Sequence, residues 1–217
     1  MTMYDFFNSD PYGAHMKAVS LVGYNKKVLE VGCATGQISR RLTANGCEVI
    51  GVEIDEERAK EAKKYCRYVI LQDVENLDDL LYNNYFDCIL FIDVLEHLKY
   101  PLIVLEKLKP YLKEDGYVIV SLPNAANLEV RLSLLLGRFE YKDCGILDKS
   151  HLRFFDEKGA KKLLEEANFE IVLFDVTPSK QIVPMRSRYS YYLARLRPNL
   201  FALQFIMKGN VKKDRRL

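Results

Sequence analysis

The stretch that decides the fold runs from residue 28 to residue 36: Val28-Leu29-Glu30-Val31-Gly32-Cys33-Ala34-Thr35-Gly36. Its first half, with Lys27, is a short apolar run that reads as a buried strand. Its second half carries small residues at 32, 34 and 36, and a helix-period segment follows over residues 37–45, stopped by Gly46. A strand that turns into a helix through small residues lets a ligand approach the backbone, and aims amide N–H groups and a helix N-terminus at it. A dinucleotide-binding turn needs the spacing G-x-G-x-x-G. Position 37 is Gln, so that spacing is absent and hydride transfer loses its support.

Strands and helices alternate outward from this turn. Residues 48–52 read as a second strand, 68–71 as a third, 86–91 as a fourth, 116–121 as a fifth, 169–176 as a sixth and 201–207 as a seventh. Between them lie a charged helix over 56–65 with Ala59 and Ala62 inward, and a helix opened by Pro101 with a stripe of Val104, Leu108, Tyr111 and Leu112. A third, capped by Asp156, carries Ala160, Leu163, Leu164 and Ala167. Such alternation predicts an α/β domain with a mostly parallel sheet spanning the whole chain, 1–217. Ligands of such sheets bind at the carboxyl edge. There Glu53 ends the second strand, placed to accept from a ribose diol, and Asp73 follows the third, placed to accept from an adenine amine.

Two segments break the alternation. Residues 123–155 form a long insertion with an apolar helix over 128–136 stopped by Gly137, and its aromatic and apolar content reads as a lid. Its leucines need a partner, the sheet edge or a second subunit, so a homodimer stays open. Residues 181–198 hold Arg186, Arg188, Tyr189, Tyr191, Tyr192, Arg195 and Arg197 and read as a solvated connector with a helical piece.

The motif at 28–36 resembles motif I of class I S-adenosylmethionine methyltransferases. Phe86-Asp87-Cys88-Ile89-Leu90 through Asp93-Val94-Leu95-Glu96-His97-Leu98 resembles their fourth-strand motif, and the likeness extends over residues 28–176. Ala34 departs from it, since many members have Gly there. Gly137-Arg138-Phe139-Glu140-Tyr141 and the run from Gly145 through His151-Leu152-Arg153-Phe154-Phe155 are similar to a subgroup associated with glycosyltransferases. The resemblance implies a Rossmann-like seven-stranded sheet with strand seven antiparallel, helices on both faces and a lid between strands five and six. It implies S-adenosyl-L-methionine as cofactor. Glu30, Gly32, Ala34 and Gly36 would line its methionine part, Glu53 its ribose, Ile54, Asp73 and Val74 its adenine, and Ile92 would offer backbone to the amino acid.

A hydroxyl acceptor benefits from a base. His151, in the lid, and His97 are the candidates, while His15 is expected at the surface. Asp93, Glu96 and His97, at i, i+3 and i+4, share a face if that turn is helical, and resemble a proposed metal triad of quinone O-methyltransferases; the bland alternative, capping and packing beside the cofactor, is preferred, and no metal is assigned. Arg131, Arg138 and Arg153 are candidates for an anionic group on the acceptor. The expected acceptor is a small molecule or saccharide, methylated on oxygen. Nucleic acid or quinone-type methylation, or a non-catalytic cofactor-binding partner, are the alternatives.

The rest of the chain agrees. A net charge of +2, with 49% hydrophobic and 29% charged residues, asks for no nucleic acid partner. Phe91-Ile92-Asp93-Val94 stands where base amine methylation uses Asn/Asp-Pro-Pro-aromatic. No apolar run is long enough to span a bilayer, and the N-terminus lacks a signal pattern, so a cytoplasmic protein without membrane insertion is expected. The five cysteines show no metal-ligand or redox spacing.

Overall fold

The computed structural model describes residues 7–77, 83–179 and 188–212. Seven strands form one sheet: β1 (Lys27–Val31), β2 (Glu48–Glu53), β3 (Tyr68–Leu71), β4 (Phe86–Ile92), β5 (Leu112–Pro123), β6 (Phe169–Pro178) and β7 (Ala202–Val211), in the order β3-β2-β1-β4-β5-β7-β6. The pairs among β1 to β5 are parallel, and β7 runs antiparallel to both β5 and β6. The expected sheet is therefore present, and the order reverses between β1 and β4, which opens the crevice where such sheets bind ligands.

Side chains of a strand alternate between faces, and the core divides accordingly. Leu29, Val31, Ile50, Val52, Ile89 and Phe91 face one layer with α4 (Pro101–Leu108) and α6 (Glu157–Glu166). Val28, Val49, Cys88, Leu90 and Ile119 face the other, with α1 (Ala14–Val22), α2 (Gln37–Ala44) and α3 (Glu56–Ala62). Helix starts follow local chemistry: the Asp55 carboxylate accepts from Arg58 N–H, and that of Asp156 from Gly159 N–H. Each such cap is worth about 1 kcal/mol. The insertion contributes α5 (Leu128–Leu135), capped by Asn127.

Several expectations need correction. Helix α1 was not foreseen: three buried residues, Ala14, Ala18 and Val22, dock it through i, i+4 spacing, a stripe too narrow to stand out. His15 is half-buried on it rather than at the surface. Strand β7 runs to Val211, beyond the apolar run, because backbone pairing with β6 carries it through Lys208, Gly209 and Asn210. The tyrosine-rich segment is not simply a connector. Residues 181–187, including Arg186, lie outside the described residues, but Arg188–Leu196 forms helix α7, with Ser190 and Ala194 buried. Tyr191 donates to Asp175 at 2.7 Å and lies 4.2 Å from Lys17 Nζ, so the helix ties β6 to α1. Among the described residues, no helix is long and apolar enough to cross a membrane.

Candidate active site

Parallel register brings the first four strand ends together, since Val31 lies beside Val52 and Phe91, and Glu53 beside Leu71. Gly32, Ala34 and Gly36 all have positive φ (69°, 46° and 77°). For alanine that conformation costs roughly 1–2 kcal/mol, which is why a glycine suits position 34. A Cβ on Gly32 would meet Val94 Cγ2 at 2.6 Å, so the loop lies directly against the chain leaving β4.

The Glu53 carboxylate holds this loop. One oxygen accepts from Ala34 N–H at 2.8 Å, the other from Ile54 N–H at 2.9 Å and Asp55 N–H at 3.0 Å. Glu53 is thus more than a strand-end acid: it is buried and part of the scaffold. Beside it, Ile54 (68% exposed) and Leu71 (50% exposed) are apolar side chains left open at the same edge. Asp73 begins a short turn over Val74–Asn76, with its carboxylate accepting from Glu75 N–H and Asn76 Nδ2. Val74 and Ile92 are buried. Glu30 points away from the crevice into the α2 layer, where Ser39 Oγ–H donates to it. Burial raises its carboxyl to about 8, against the pull of that hydroxyl.

The turn after β4 is built differently. Asp93 has positive φ (56°), and its Oδ1 accepts from Ser121 Oγ–H at 2.5 Å and Gln204 Nε2 at 2.7 Å. It does not share a helical face with Glu96 and His97, which sit in a 3-10 turn over Leu95–His97. The shared face that the spacing offered is therefore not formed, and the preferred reading of Asp93 as a packing residue fits its bonds to Ser121 and Gln204. The group that comes together is Glu96, His97 and His151, whose ligand-type atoms all lie within 4.8 Å of one another. Glu96 is 0% exposed, and neither carboxylate oxygen has a hydrogen-bond partner among the described residues. Burial, then the charge of Asp93, pushes its carboxyl well above the ordinary range. His97 Nδ1–H donates to Ser150 O at 3.2 Å and His151 Nδ1–H to Ile146 O at 3.0 Å, since a carbonyl can only accept. Each ring therefore carries its lone pair on Nε2. Burial, then the neighbouring His151, holds His97 below its ordinary pKa.

His151 arrives because the insertion folds back onto this turn: Leu152 N–H and Arg153 N–H both donate to Glu96 O, at 2.8 and 3.0 Å. The arginines are dispersed. Arg131 Nε donates to Ala126 O just ahead of its own helix, Arg138 is exposed beyond Gly137, and the Arg153 guanidinium donates to Lys99 O. His15 is a residue that sequence reasoning set aside. Its Nδ1 accepts from Asn8 N–H at 3.0 Å, burial lowers its pKa, and the charge of Asp93 acts in the opposite direction. Only the weak stripe of α1 could have placed it near the crevice.

Known proteins accord with this geometry. The ubiquinone biosynthesis O-methyltransferase of Actinobacillus pleuropneumoniae serotype 5b is 28% identical over 123 residues, 52% of each chain. The chain thus spans about half the length of the curated relatives it matches. A Thermotoga maritima methyltransferase, described as a possible histamine N-methyltransferase, superposes with a TM-score of 0.66 at 21% identity, covering 94% of this chain and 90% of that one. The Burkholderia thailandensis 1,6-didemethyltoxoflavin-N1-methyltransferase, solved with S-adenosylhomocysteine, gives 0.62 at 18% identity, covering 93% and 80%. Residues 15–173 match the methyltransferase domain family; the chain belongs to that family, and its fold is that of the S-adenosylmethionine-dependent methyltransferases.

Proposed function

We propose that this methyltransferase moves the methyl group of S-adenosylmethionine to a hydroxyl oxygen of a small acceptor. The observation that carries the reading is the pairing, at one sheet edge, of the glycine-rich loop braced by Glu53 with two imidazoles whose Nδ1–H groups donate to backbone carbonyls. The bound sulfonium supplies a strongly activated methyl. The protein's part is then to orient the acceptor, exclude water and take a proton.

The cradle suits an adenosyl group. Glu53 Oε2, which accepts from Ala34 N–H alone, keeps a second lone pair for a ribose hydroxyl, and Ile54 and Leu71 offer the uncovered apolar surface that an adenine ring needs. Asp73 and Val74 follow at the adenine end, while Gly32, Ala34, Gly36 and Ile92 line the methionine end. Glu30 supports the loop from behind rather than touching the ligand. His151 is the favoured base and His97 the second. Arg138, whose guanidinium stands in solvent, is the better of the three arginines for an anionic acceptor group, because Arg131 and Arg153 already serve backbone carbonyls.

Two acceptor classes have support. The curated relatives are named ubiquinone biosynthesis O-methyltransferases, which favours a quinone-type acceptor methylated on oxygen. The likeness of residues 137–155 to the glycosyltransferase-associated subgroup favours a saccharide. Isotope-labelled S-adenosylmethionine, supplied with a panel of catechols, sugar nucleotides and a metabolite extract, separates them by the labelled product. Calorimetry should show S-adenosylmethionine and S-adenosylhomocysteine binding far more tightly than NAD. Tighter NAD binding, or label transferred only to nitrogen, would overturn the reading.

A further inference from the structure

We propose that Cys33 and Cys66 form a site of reversible oxidation, a dithiol behind the cofactor loop that hydrogen peroxide converts to a disulfide. No redox motif links the two in sequence, and the fold alone brings them together. Cys33 stands in the loop between Gly32 and Ala34, and Cys66 lies between α3 and β3. Their sulfurs meet over the bare backbone of Gly51 in β2. A Cβ there would stand 2.6 Å from Cys33 Sγ and 3.3 Å from Cys66 Sγ, so only glycine leaves both thiols that space. Both are buried in the layer with α2 and α3, Cys33 at 2% and Cys66 at 7% exposed.

Thiol oxidation starts from a thiolate. The Cys33 thiol donates toward Cys66 and holds that thiol below its ordinary pKa, against the cost of burial. The same contact, then burial, pushes Cys33 up. Cys66 is thus the attacking sulfur and Cys33 the resolving one. Cys66 S–H also donates to Ser39 Oγ at 3.1 Å, and Ser39 Oγ–H to Glu30, so the donors run in one direction and end on a carboxylate. The Cys66 sulfur attacks one peroxide oxygen: an S–O bond forms, the O–O bond breaks, and the departing oxygen takes the thiol proton and leaves as water. The Cys33 sulfur then attacks that of Cys66: the S–S bond forms, the S–O bond breaks, and the hydroxide takes the Cys33 proton and leaves as a second water. The two thiols lose two electrons between them, and one peroxide gains two.

A disulfide holds its sulfurs about 2.05 Å apart, closer than two thiols in contact. Closing it draws Cys33 toward the start of β3 and carries its neighbour Ala34 away from the Glu53 carboxylate that braces the loop. Oxidation therefore loosens the cofactor loop from behind.

The test uses the full chain carrying C144S, because Cys144 is exposed and would react on its own. After hydrogen peroxide, non-reducing peptide mass spectra should show Cys33 cross-linked to Cys66, and calorimetry should show S-adenosylmethionine affinity lowered by more than tenfold. Dithiothreitol should restore both. C66S should keep its affinity through the same treatment. C33S serves should C66S not fold, and there a sulfenic acid on Cys66 should be trapped by dimedone. No cross-link in the folded chain, oxidation ending on the separate sulfurs, or an equal affinity loss in C66S would overturn the site. A cross-link that leaves affinity unchanged would overturn its link to the cofactor loop. None of these readouts involves a methyl acceptor, so they fail or succeed independently of the O-methylation reading.

Discussion

Two buried glutamates stand at the same edge of the sheet, on either side of β1, and their environments are opposite. Glu53, at the end of β2, spends its carboxylate on three backbone amides of the turn around it. Glu96, one turn past β4, has no hydrogen-bond donor among the described residues. The first arrangement is complete as folded and needs nothing from a ligand to be stable. The second leaves an electrostatic demand that the fold does not meet by itself. The half of the edge that we assign to the cofactor is therefore preorganised, while the half that we assign to the acceptor carries a carboxyl whose state depends on its surroundings.

The largest effect should fall on the acceptor half. His151→Ala is expected to lower methyl transfer by ~100-fold or more while leaving cofactor affinity intact. Unchanged turnover would make the ring a structural pin between the insertion and the β4 turn. The scaffold behind the cofactor half offers the opposite sign. Glu30 is fully buried, and its carboxyl lies at about 8 against an ordinary 4.5. Between those two values the native chain holds a proton that the unfolded chain has released, so stability falls as pH rises from 4.5 to about 8. Glu30→Gln keeps an acceptor for Ser39 and should raise stability at pH 7 by roughly 3 kcal/mol, an upper bound, and flatten that pH dependence. Urea melts at several pH values check this; a parallel wild-type and mutant profile would refute it.

Glu53→Ala should weaken S-adenosylmethionine binding by roughly 2–3 kcal/mol and also lower the melting temperature, because three amides lose their acceptor. A mutant with wild-type affinity would remove the ribose role; one with wild-type stability would remove the contrast with Glu96. Smallest of all, Ala34→Gly relieves a positive φ but loosens the unfolded chain, for a net gain of at most about 1 kcal/mol. Differential scanning calorimetry resolves a shift of that size, and a loss of stability would mean the alanine methyl packs usefully.

The cofactor half was legible in the sequence because each of its parts is a local pattern: an apolar run, small residues at fixed offsets, an acid at a strand end. Its residues needed only parallel register to meet. The acceptor half was legible as an inventory and not as an arrangement. The spacing of Asp93, Glu96 and His97 suggested one helical face, but a positive φ at Asp93 turns that side chain to Ser121 and Gln204. Its place beside the pair is taken by His151, 54 residues beyond His97, through hydrogen bonds that only the folded insertion makes. Glu53 was read correctly as a strand-end acid, yet its bracing of the loop depends on amides 19 residues earlier and could not be inferred from its own neighbours. Helix α1 escaped because an alanine-based stripe of three residues gives almost no periodic signal.

The insertion leaves and rejoins the sheet at a single spot. Asn124 and Phe155 form a parallel bridge, Ala125 N–H donates to Phe155 O, and Asn124 and Asn127 both anchor to Ala202 O. A segment whose two feet touch can be exchanged, lengthened or shortened with little consequence for the sheet, since closing a longer loop costs only about 0.6 kcal/mol per doubling. The two regions thus differ in how they are built in: the loop braced by Glu53 is tied to β2 through Ala34, Ile54 and Asp55, whereas the segment that supplies His151 is a cartridge hung from one point of the sheet.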